Sequence, residues 1–240
     1  MVQADFAAEE RLIEARWRES LRPAAGSPWF NAAHVYRIQE QERAILRVLR
    51  SNGYTELKNT RVLDIGCGPG GWLHRMMLWG ARPENLAGID LVAERVEIGR
   101  QLLPSTVALA IGNAARLDYA DATFDVVIMS LVLSLILDPE LRRHIALETL
   151  RVMKPGGIVI WYDYRYKPPK LKLHPMRLDE IRQLFTGCEV QLRSLTPIPP
   201  VRRLARYSWM LCELISKVAP LRTHYIGAIR KRPETRTEGR

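Results

Sequence analysis

The sequence predicts an α/β fold in which helices cover both faces of a mostly parallel sheet. Three observations lead to this prediction. Apolar runs of strand length alternate with helical patterns from residue 61 onward. The first run, 62–65 (VLDI), ends in a turn with glycines at 66, 68 and 70, and the second, 85–90, ends in the carboxylate of Asp90. Both features are typical of parallel sheets that bind a nucleoside at the carboxyl ends of their strands.

The elements follow from apolar periodicity and from turn residues. Helices are predicted over 5–21 and 32–51, within an N-terminal helical cap formed by residues 1–56. Seven strands are predicted at 61–65, 85–90, 107–112, 124–130, 158–164, 189–195 and 225–230, with helices at 71–79, 93–103, 140–152 and 175–185. The stretch 199–220 has helical apolar spacing and three arginines near its start, which predicts an amphipathic helix within an insertion at 198–222. The tail, 233–240, is predicted to be disordered.

Length and composition favour one large domain without a membrane span. The chain has 240 residues, 47% of them hydrophobic, which is enough for a packed core. Its longest apolar run, 126–137, is shorter than the roughly 18 residues that a span requires, and its first residues do not resemble a signal peptide. The three cysteines lack metal-ligand spacing and fit a reducing compartment. A cytoplasmic protein without a metal site is therefore expected.

The positive charge is unevenly distributed. Most of the net charge of +10 lies after residue 192. Such a region could meet nucleic acid, anionic lipid or an anionic small substrate, and it could equally be a solvated helix face. These interpretations stay open at the level of composition.

The glycine turn also fits a dinucleotide fingerprint, because glycines at 66, 68 and 71 have the spacing GxGxxG. Two neighbours oppose that interpretation. Asp64 places a negative charge where a pyrophosphate would lie, and the same charge suits a cationic ammonium or sulfonium group. Pro69 removes one backbone N–H from the loop that would hold phosphate oxygens. These residues favour S-adenosylmethionine over NAD as the cofactor.

With these motifs in order, the chain resembles the class I S-adenosylmethionine-dependent methyltransferases, and in particular their small-molecule, type 11-like branch. The resemblance covers about 60–164 and returns at 222–231. It rests on VLDIGCGPG at 62–70, GIDL at 88–91, GNA at 112–114, LDYADATFDVV at 117–127 and LRVMKPGG at 150–157. It implies a Rossmann-like three-layer sandwich whose last strand lies antiparallel between the fifth and sixth. The cofactor-binding methyltransferase domain would then span 57–232.

The same resemblance implies roles for residues around the cofactor. Asp64 would face the ammonium group, the glycine loop would pass under the methionine portion, and Asp90 would accept hydrogen bonds from the ribose hydroxyls. Asn113 stands where an aspartate is more usual, and its amide oxygen could accept a hydrogen bond from the adenine amino group. The expected cofactor-binding set is Asp64, Gly66, Cys67, Gly68, Gly70, Asp90, Leu91, Asn113, Ala114 and Ser130.

The acceptor is expected to be a small molecule or a glycan or lipid precursor, methylated at oxygen. His174 and His224 are the candidate bases because strand order places both at the carboxyl ends of the strands; for each, a purely structural role as a cap or boundary histidine stays open. The candidate substrate-binding residues are Tyr36, Tyr164, Arg202 and Arg206.

Two alternative functions are an RNA methyltransferase and a non-catalytic partner subunit, and a contact with the acceptor or a membrane is also expected. An RNA methyltransferase is disfavoured because SLVL at 130–133 stands where a base-reading Asn-Pro-Pro-Tyr motif would follow the fourth strand; nucleic acid is therefore not an expected partner. A non-catalytic, cofactor-binding partner subunit would use nearly the same residues. The basic, amphipathic stretch 199–220 is expected to serve the acceptor or to contact an anionic membrane peripherally.

Overall fold

A seven-stranded sheet forms the centre of the protein, as the computed structural model shows for residues 6–20, 27–168 and 171–232. The strands are β1 (Val62–Ile65), β2 (Leu86–Asp90), β3 (Ala108–Ile111), β4 (Phe124–Ser130), β5 (Met153–Tyr164), β6 (Cys188–Pro197) and β7 (Arg222–Lys231). Their order is β3-β2-β1-β4-β5-β7-β6. The first five strands run parallel, and β7 lies antiparallel between β5 and β6. The predicted fold class is confirmed; the predicted tail, 233–240, lies outside the described residues.

Eight α-helices surround this sheet within the described residues: α1 (Ala7–Ser20), α2 (Ala32–Ser51), α3 (Gly71–Leu78), α4 (Ala93–Leu102), α5 (Pro139–Val152), α6 (Leu178–Leu184), α7 (Pro199–Arg203) and α8 (Trp209–Ser216). Side-chain caps fix several of their starts. Asn31 accepts hydrogen bonds from two backbone N–H groups at the start of α2, and Asp138 does the same for α5. None of the helices in these ranges is long and apolar enough to cross a membrane.

Several elements differ from their predicted bounds, and two of these differences have identifiable reasons. Helix α6 begins at Leu178 instead of residue 175, because the backbone N–H groups of His174 and Met176 bond to Ser134 and Tyr164 and hold this segment in a non-helical loop. The insertion contains two short helices, separated by a 3₁₀ turn at Leu204–Arg206, instead of one long helix. Ser208 is extended there, and its hydroxyl caps α8.

Apolar layers pack on both faces of the sheet. Leu63 and Ile65 of β1 belong to one layer, and Val62 belongs to the other, as the two-residue periodicity of a strand requires. A third cluster joins α2 to the insertion through Tyr36, Val201 and Cys212. The insertion is thereby fixed beside the carboxyl ends of β5 and the start of β7.

Candidate active site

The glycine loop after β1 is a tight backbone turn. Gly66, Gly68 and Gly70 have φ values of 71°, 54° and 79°, a left-handed region that costs glycine little. The N–H groups of Gly66 and Cys67 donate to the carbonyl of Ile89, at 2.8 and 3.1 Å, and tie the loop to β2. Gly70 is the N-cap of α3. This local sequence therefore builds a smooth backbone surface at the carboxyl ends of β1 and β2.

Asp64 lies beneath this loop and is only 1% exposed. Its Oδ2 atom has no hydrogen-bond partner among the described residues. Burial, and then the nearby carboxylate of Asp90, raise the pKa of Asp64 well above its usual range, while Arg95 opposes the shift. A buried carboxylate oxygen without a partner suits a cationic ligand group. The residue thus fits the ammonium end of S-adenosylmethionine.

Cys67 packs within the same loop and is buried. Burial is the largest cause that raises the pKa of its thiol, and the nearby carboxylates of Asp64 and Asp90 add to the effect. A thiol kept protonated in this way is not a reactive nucleophile. Its place against Gly88 is that of a packing residue.

Asp90 ends β2 and is already engaged by the protein. Its Oδ2 accepts hydrogen bonds from the backbone N–H of Gly68 at 2.8 Å and from Arg95 Nη1 at 3.0 Å, and its Oδ1 accepts from the N–H of Val92 at 2.9 Å. A carboxylate offers about four lone-pair directions, so these three bonds leave about one direction for a ribose hydroxyl. A Cβ atom at Gly68 would overlap the guanidinium of Arg95, which therefore lies directly against the glycine loop.

Helix α1 covers the side of the site where adenine is expected. Asn113 Nδ2 donates to Glu10 Oε1 at 2.6 Å, while its Oδ1 accepts from the N–H of Ala115 at 2.8 Å. The amide oxygen expected to meet adenine is thus already bonded to backbone. Leu91, which follows Asp90 in the chain, and Ala114, which follows Asn113, are both half-buried. Glu9 accepts from the N–H of Leu137, so α1 also contacts the loop after β4.

The loop after β4 is held by Asp163 of β5. This carboxylate accepts from the N–H of Ser134 at 3.0 Å and from its neighbour Tyr164 at 2.8 Å. Burial raises the pKa of Asp163 to about 6. Ser130, at the end of β4, is half-buried next to this loop in the chain. Asp163 therefore positions the backbone that follows the predicted cofactor-contacting serine.

His174 is paired with a carboxylate. Its Nε2 lies 2.8 Å from Glu180 Oε2, and the other oxygen of Glu180 lies 3.2 Å from Nε of Arg142. The backbone of His174 is fixed as well, because its N–H donates to Ser134. A carboxylate on one ring nitrogen orients an imidazole and leaves the second nitrogen for proton transfer. Sequence reasoning found His174 but not Glu180, because the intervening loop brings the two together.

His224 has a different environment. It is 6% exposed and stacks on Tyr162, with 4.6 Å between ring centroids. The ring of Tyr164 lies 4.1 Å away on the same measure and is tilted at 37°. Its Nδ1 lies 2.8 Å from Thr223 Oγ1. Burial, followed by the charges of Arg202 and Arg37, lowers the pKa of His224 to about 3. The imidazole is consequently neutral at physiological pH and is a weak base.

The four predicted substrate-binding residues do not share one environment. Tyr164 and Arg202 lie with His224, since Arg202 influences the pKa of both aromatic residues. Tyr36 is fully buried, and its hydroxyl bonds to Ser216 and Glu213 of α8, so it attaches the insertion to α2. Arg206 is exposed and covers the ring of Tyr207 at 4.3 Å.

Arg202 and Arg37 place positive charge beside the aromatic cluster of Tyr162, Tyr164 and His224. The Nε atom of Arg202 is buried and has no hydrogen-bond partner in the described ranges. Burial and the like charge of Arg37 lower the pKa of Arg202. Arg37 was not among the site residues predicted from the sequence, although it directly follows the predicted Tyr36. A desolvated cationic donor of this kind attracts a negatively charged oxygen.

Comparison with known proteins agrees with this architecture. Residues 62–157 match the model of a family described as a methyltransferase domain. The chain is similar to 2-methyl-6-phytyl-1,4-hydroquinone methyltransferase of Synechocystis, with 34% identity over 45% of this chain and 33% of the relative. It is also similar to demethylmenaquinone methyltransferase of Staphylococcus aureus, with 32% identity over 48% of this chain and 46% of the relative. The chain thus spans less than half the length of these curated relatives.

Among solved structures, phosphoethanolamine N-methyltransferase 1 of Haemonchus contortus, in complex with phosphoethanolamine and S-adenosylhomocysteine, superposes with a TM-score of 0.65. The match covers 99% of this chain and 52% of that one, at 14% sequence identity. At this identity the likeness concerns the fold alone.

Proposed function

We propose that the protein is an S-adenosylmethionine-dependent enzyme that methylates the hydroxyl oxygen of a phenol-type small molecule; the match of residues 62–157 to a methyltransferase domain supports methyl transfer. S-adenosylmethionine supplies a methyl group that the sulfonium charge already activates. Asp64, the glycine loop and Asp90 would hold this cofactor, and Asn113, Leu91 and Ala114 would border its base. The work left to the protein is to position an acceptor oxygen and to accept its proton.

The unpartnered guanidinium of Arg202 beside the aromatic cluster carries the proposal. Its buried Nε donor and the neighbouring charge of Arg37 favour an acceptor whose oxygen is negative. A phenol, with a pKa near ~10, reaches that state far more readily than an aliphatic alcohol. The half-buried ring of Tyr164, which is tilted at 37° against His224, offers apolar contact to an aromatic acceptor. A phenol satisfies both requirements.

The proposed base is His174. In a phenol acceptor, the O–H proton would pass to the free ring nitrogen of His174, while Glu180 stabilises the resulting imidazolium from the other side. His224 is the alternative base. Its low pKa makes proton acceptance less favourable, so we assign it to shaping the aromatic cluster.

Two relatives support the acceptor class, since one of them is named for a hydroquinone and the other for demethylmenaquinone. A hydroquinone carries phenolic hydroxyls. Its phenolate also places negative charge on ring carbons, and this makes a ring carbon the second candidate for methylation. A lipid-linked phenol would fall within the expected class of lipid precursors.

Incubation with methyl-labelled S-adenosylmethionine and a panel of phenols, hydroquinones and aliphatic alcohols tests the proposal. We expect label in a phenol or hydroquinone, and NMR of the product distinguishes an O-methyl from a C-methyl group. Arg202→Gln should lower turnover at least tenfold, as expected for loss of a charge-assisted contact of about 1.5–3 kcal/mol, and should leave cofactor affinity unchanged. Arg50→Gln, at an exposed position on α2, is the control. Exclusive labelling of aliphatic alcohols, or full activity of Arg202→Gln, would refute a phenol acceptor.

We also propose that the insertion contacts an anionic membrane. Tyr207, Met210 and Leu214 are 73%, 83% and 61% exposed, and exposed cationic residues, Arg203, Arg206 and Lys217, lie among them. Apolar side chains interspersed with positive charge are typical of interfacial segments. This surface would bring the protein to a lipid-dissolved acceptor.

Sedimentation with vesicles checks this contact. Binding to vesicles that contain phosphatidylglycerol should weaken in Arg203→Glu/Arg206→Glu, and the affinity for S-adenosylhomocysteine should stay the same. Arg143→Glu/Arg182→Glu, at exposed positions on α5 and α6, makes the same change in net charge and is the control. Equal vesicle binding by both variants would exclude the insertion as the membrane surface.

A further inference from the structure

A second candidate site lies on another part of the sheet. A cavity of about 380 Å³ opens between α2 and the strands β6 and β7. A smaller cavity of about 90 Å³ lies beside α8 and shares Arg47 and Arg193 with the first. The larger volume falls within the range of small-molecule pockets, about 300–1,000 Å³. The glycine loop follows β1, which is separated from β7 by β4 and β5, so the cavities are independent of the cofactor site.

Positive charge dominates the walls. Arg43, Arg47, Arg193 and Arg222 line the two cavities together with the carboxylates of Glu40 and Glu213. Arg43 is paired with Glu213 at 3.5 Å, and Arg222 donates to the Ser194 carbonyl. Arg47 and Arg193 have no hydrogen-bond or ion-pair partner within the described ranges. Desolvation and the charges of Arg47 and Arg222 lower the pKa of Arg193, which means that these cations repel one another.

A buried carboxylate lies at the same place without satisfying the arginines. Glu40 is 8% exposed, and its Oε2 has no hydrogen-bond partner among the described residues. Burial, and then the charge of Glu213, raise the pKa of Glu40 to about 7. At neutral pH this side chain is therefore only partly ionised. The four guanidinium groups exceed the ionised carboxylates by two to three charges.

We propose that this cavity binds a phosphate monoester, with the phosphate held between Arg47 and Arg193. A monoester is close to a dianion at pH 7 and matches the surplus charge, whereas a single carboxylate would neutralise only part of it. Guanidinium groups bind phosphate oxygens in a bidentate manner. Val48, Leu192 and Ile226 line the larger cavity and provide apolar contact for the group esterified to the phosphate. The proposal does not depend on the methyl acceptor proposed above.

The test titrates the full-length protein with inorganic phosphate and with phenyl phosphate at constant ionic strength, using calorimetry and chloride as the reference anion. Saturable binding is expected, with tighter binding of the phenyl ester. Arg47→Gln/Arg193→Gln should raise the dissociation constant at least tenfold. Arg50→Gln, an exposed arginine on α2 that lines neither cavity, should leave it within twofold. Binding of S-adenosylhomocysteine by each variant shows that the fold is intact.

Two further arms identify the source of the phosphate and the role of Glu40. Vesicles of phosphatidylcholine with phosphatidate present the same monoester on a lipid. If the wild type binds these vesicles but no free ester, and the double variant does not bind them, the site exists and its ligand is a lipid headgroup. Glu40→Gln should tighten phosphate binding at pH 8 several-fold, because it removes an opposing charge. The proposal would be overturned if the protein bound neither the free phosphates nor the phosphatidate vesicles. It would also be overturned if Arg50→Gln lost as much phosphate affinity as the double variant.

Discussion

The two halves of the sheet present opposite charges. At the carboxyl ends of β1 and β2, the buried groups are the carboxylates Asp64 and Asp90. Beside β5 and β7, the groups that influence the buried His224 are the guanidiniums of Arg202 and Arg37. A cationic cofactor suits the first half and an anionic acceptor oxygen suits the second. Under the proposed function, this contrast would bring a sulfonium and a negative oxygen together.

The halves also differ in how their contacts are encoded. In the first, Gly68 reaches Asp90 through a backbone N–H, and the motif that forms the turn is continuous in sequence. In the second, Tyr36 bonds to Ser216 and Tyr162 bonds to Thr196, so side chains from distant segments must converge. The first half depends on backbone geometry and the second on packing.

The largest expected effect distinguishes the two histidines of the acceptor half. His174→Ala should lower the single-turnover rate about 10²-fold or more, the usual effect of removing a general base, whereas His224→Ala should lower it less than tenfold. The assay uses saturating cofactor, so that product release does not hide the chemical step. His74→Ala, an exposed helical position, is the control. If both variants retain more than a tenth of the rate, neither histidine is the base.

The next largest effect is expected on cofactor affinity when Asp90, at the carboxyl end of β2, is replaced. Asp90→Ala should weaken S-adenosylmethionine binding at least tenfold, because it removes charge-assisted hydrogen bonds of about 1.5–3 kcal/mol. Asp118→Ala, which alters an exposed carboxylate, should leave affinity unchanged. Calorimetry measures both. Wild-type affinity in Asp90→Ala would mean that the ribose contact is assigned to the wrong residue.

The sequence predicted the glycine turn because glycine conformation depends on local residues, whereas the place of the last strand between the fifth and sixth followed from the family resemblance. It did not predict Arg95, which reaches Asp90 only because the first turn of α4 directs its side chain back over the loop. It also placed His174 in a helical turn, whereas Ser134 holds it in a loop beside Glu180. Contacts set by loop conformation and by rotamers carry no periodic signal in the sequence.

Within the acceptor half, Glu40→Gln should change the dependence of stability on pH. Because burial raises the pKa of Glu40 to about 7, the folded state holds this proton more tightly than the unfolded chain does. The resulting stabilisation is complete below the ordinary pKa near 4.5 and is lost as pH rises through about 7.

At pH 8, Glu40→Gln should therefore be more stable than the wild type by about 3 kcal/mol, with the difference vanishing near pH 4. Thermal unfolding across this range measures the effect. Asp64 and Asp163 have pKa values shifted in the same direction, so only the difference between variant and wild type is informative. Glu56→Gln, at an exposed position, is the control. If the stability of Glu40→Gln followed that of the wild type in parallel across this pH range, the raised pKa of Glu40 would be contradicted.

The smallest expected effect concerns Arg95. Among the described residues, it is the one arginine whose guanidinium contacts Asp90. It occupies a lone pair that a ribose hydroxyl needs, and its charge opposes a sulfonium. Arg95→Ala should therefore tighten S-adenosylmethionine binding about two- to fivefold, the scale of a partly exposed ion pair. S-adenosylhomocysteine, which lacks the sulfonium charge, should gain less. Arg100→Ala, on the exposed face of α4, should change neither affinity. Weaker binding of both ligands by Arg95→Ala would instead make Arg95 part of the cofactor site, and the charge contrast between the two halves would no longer hold.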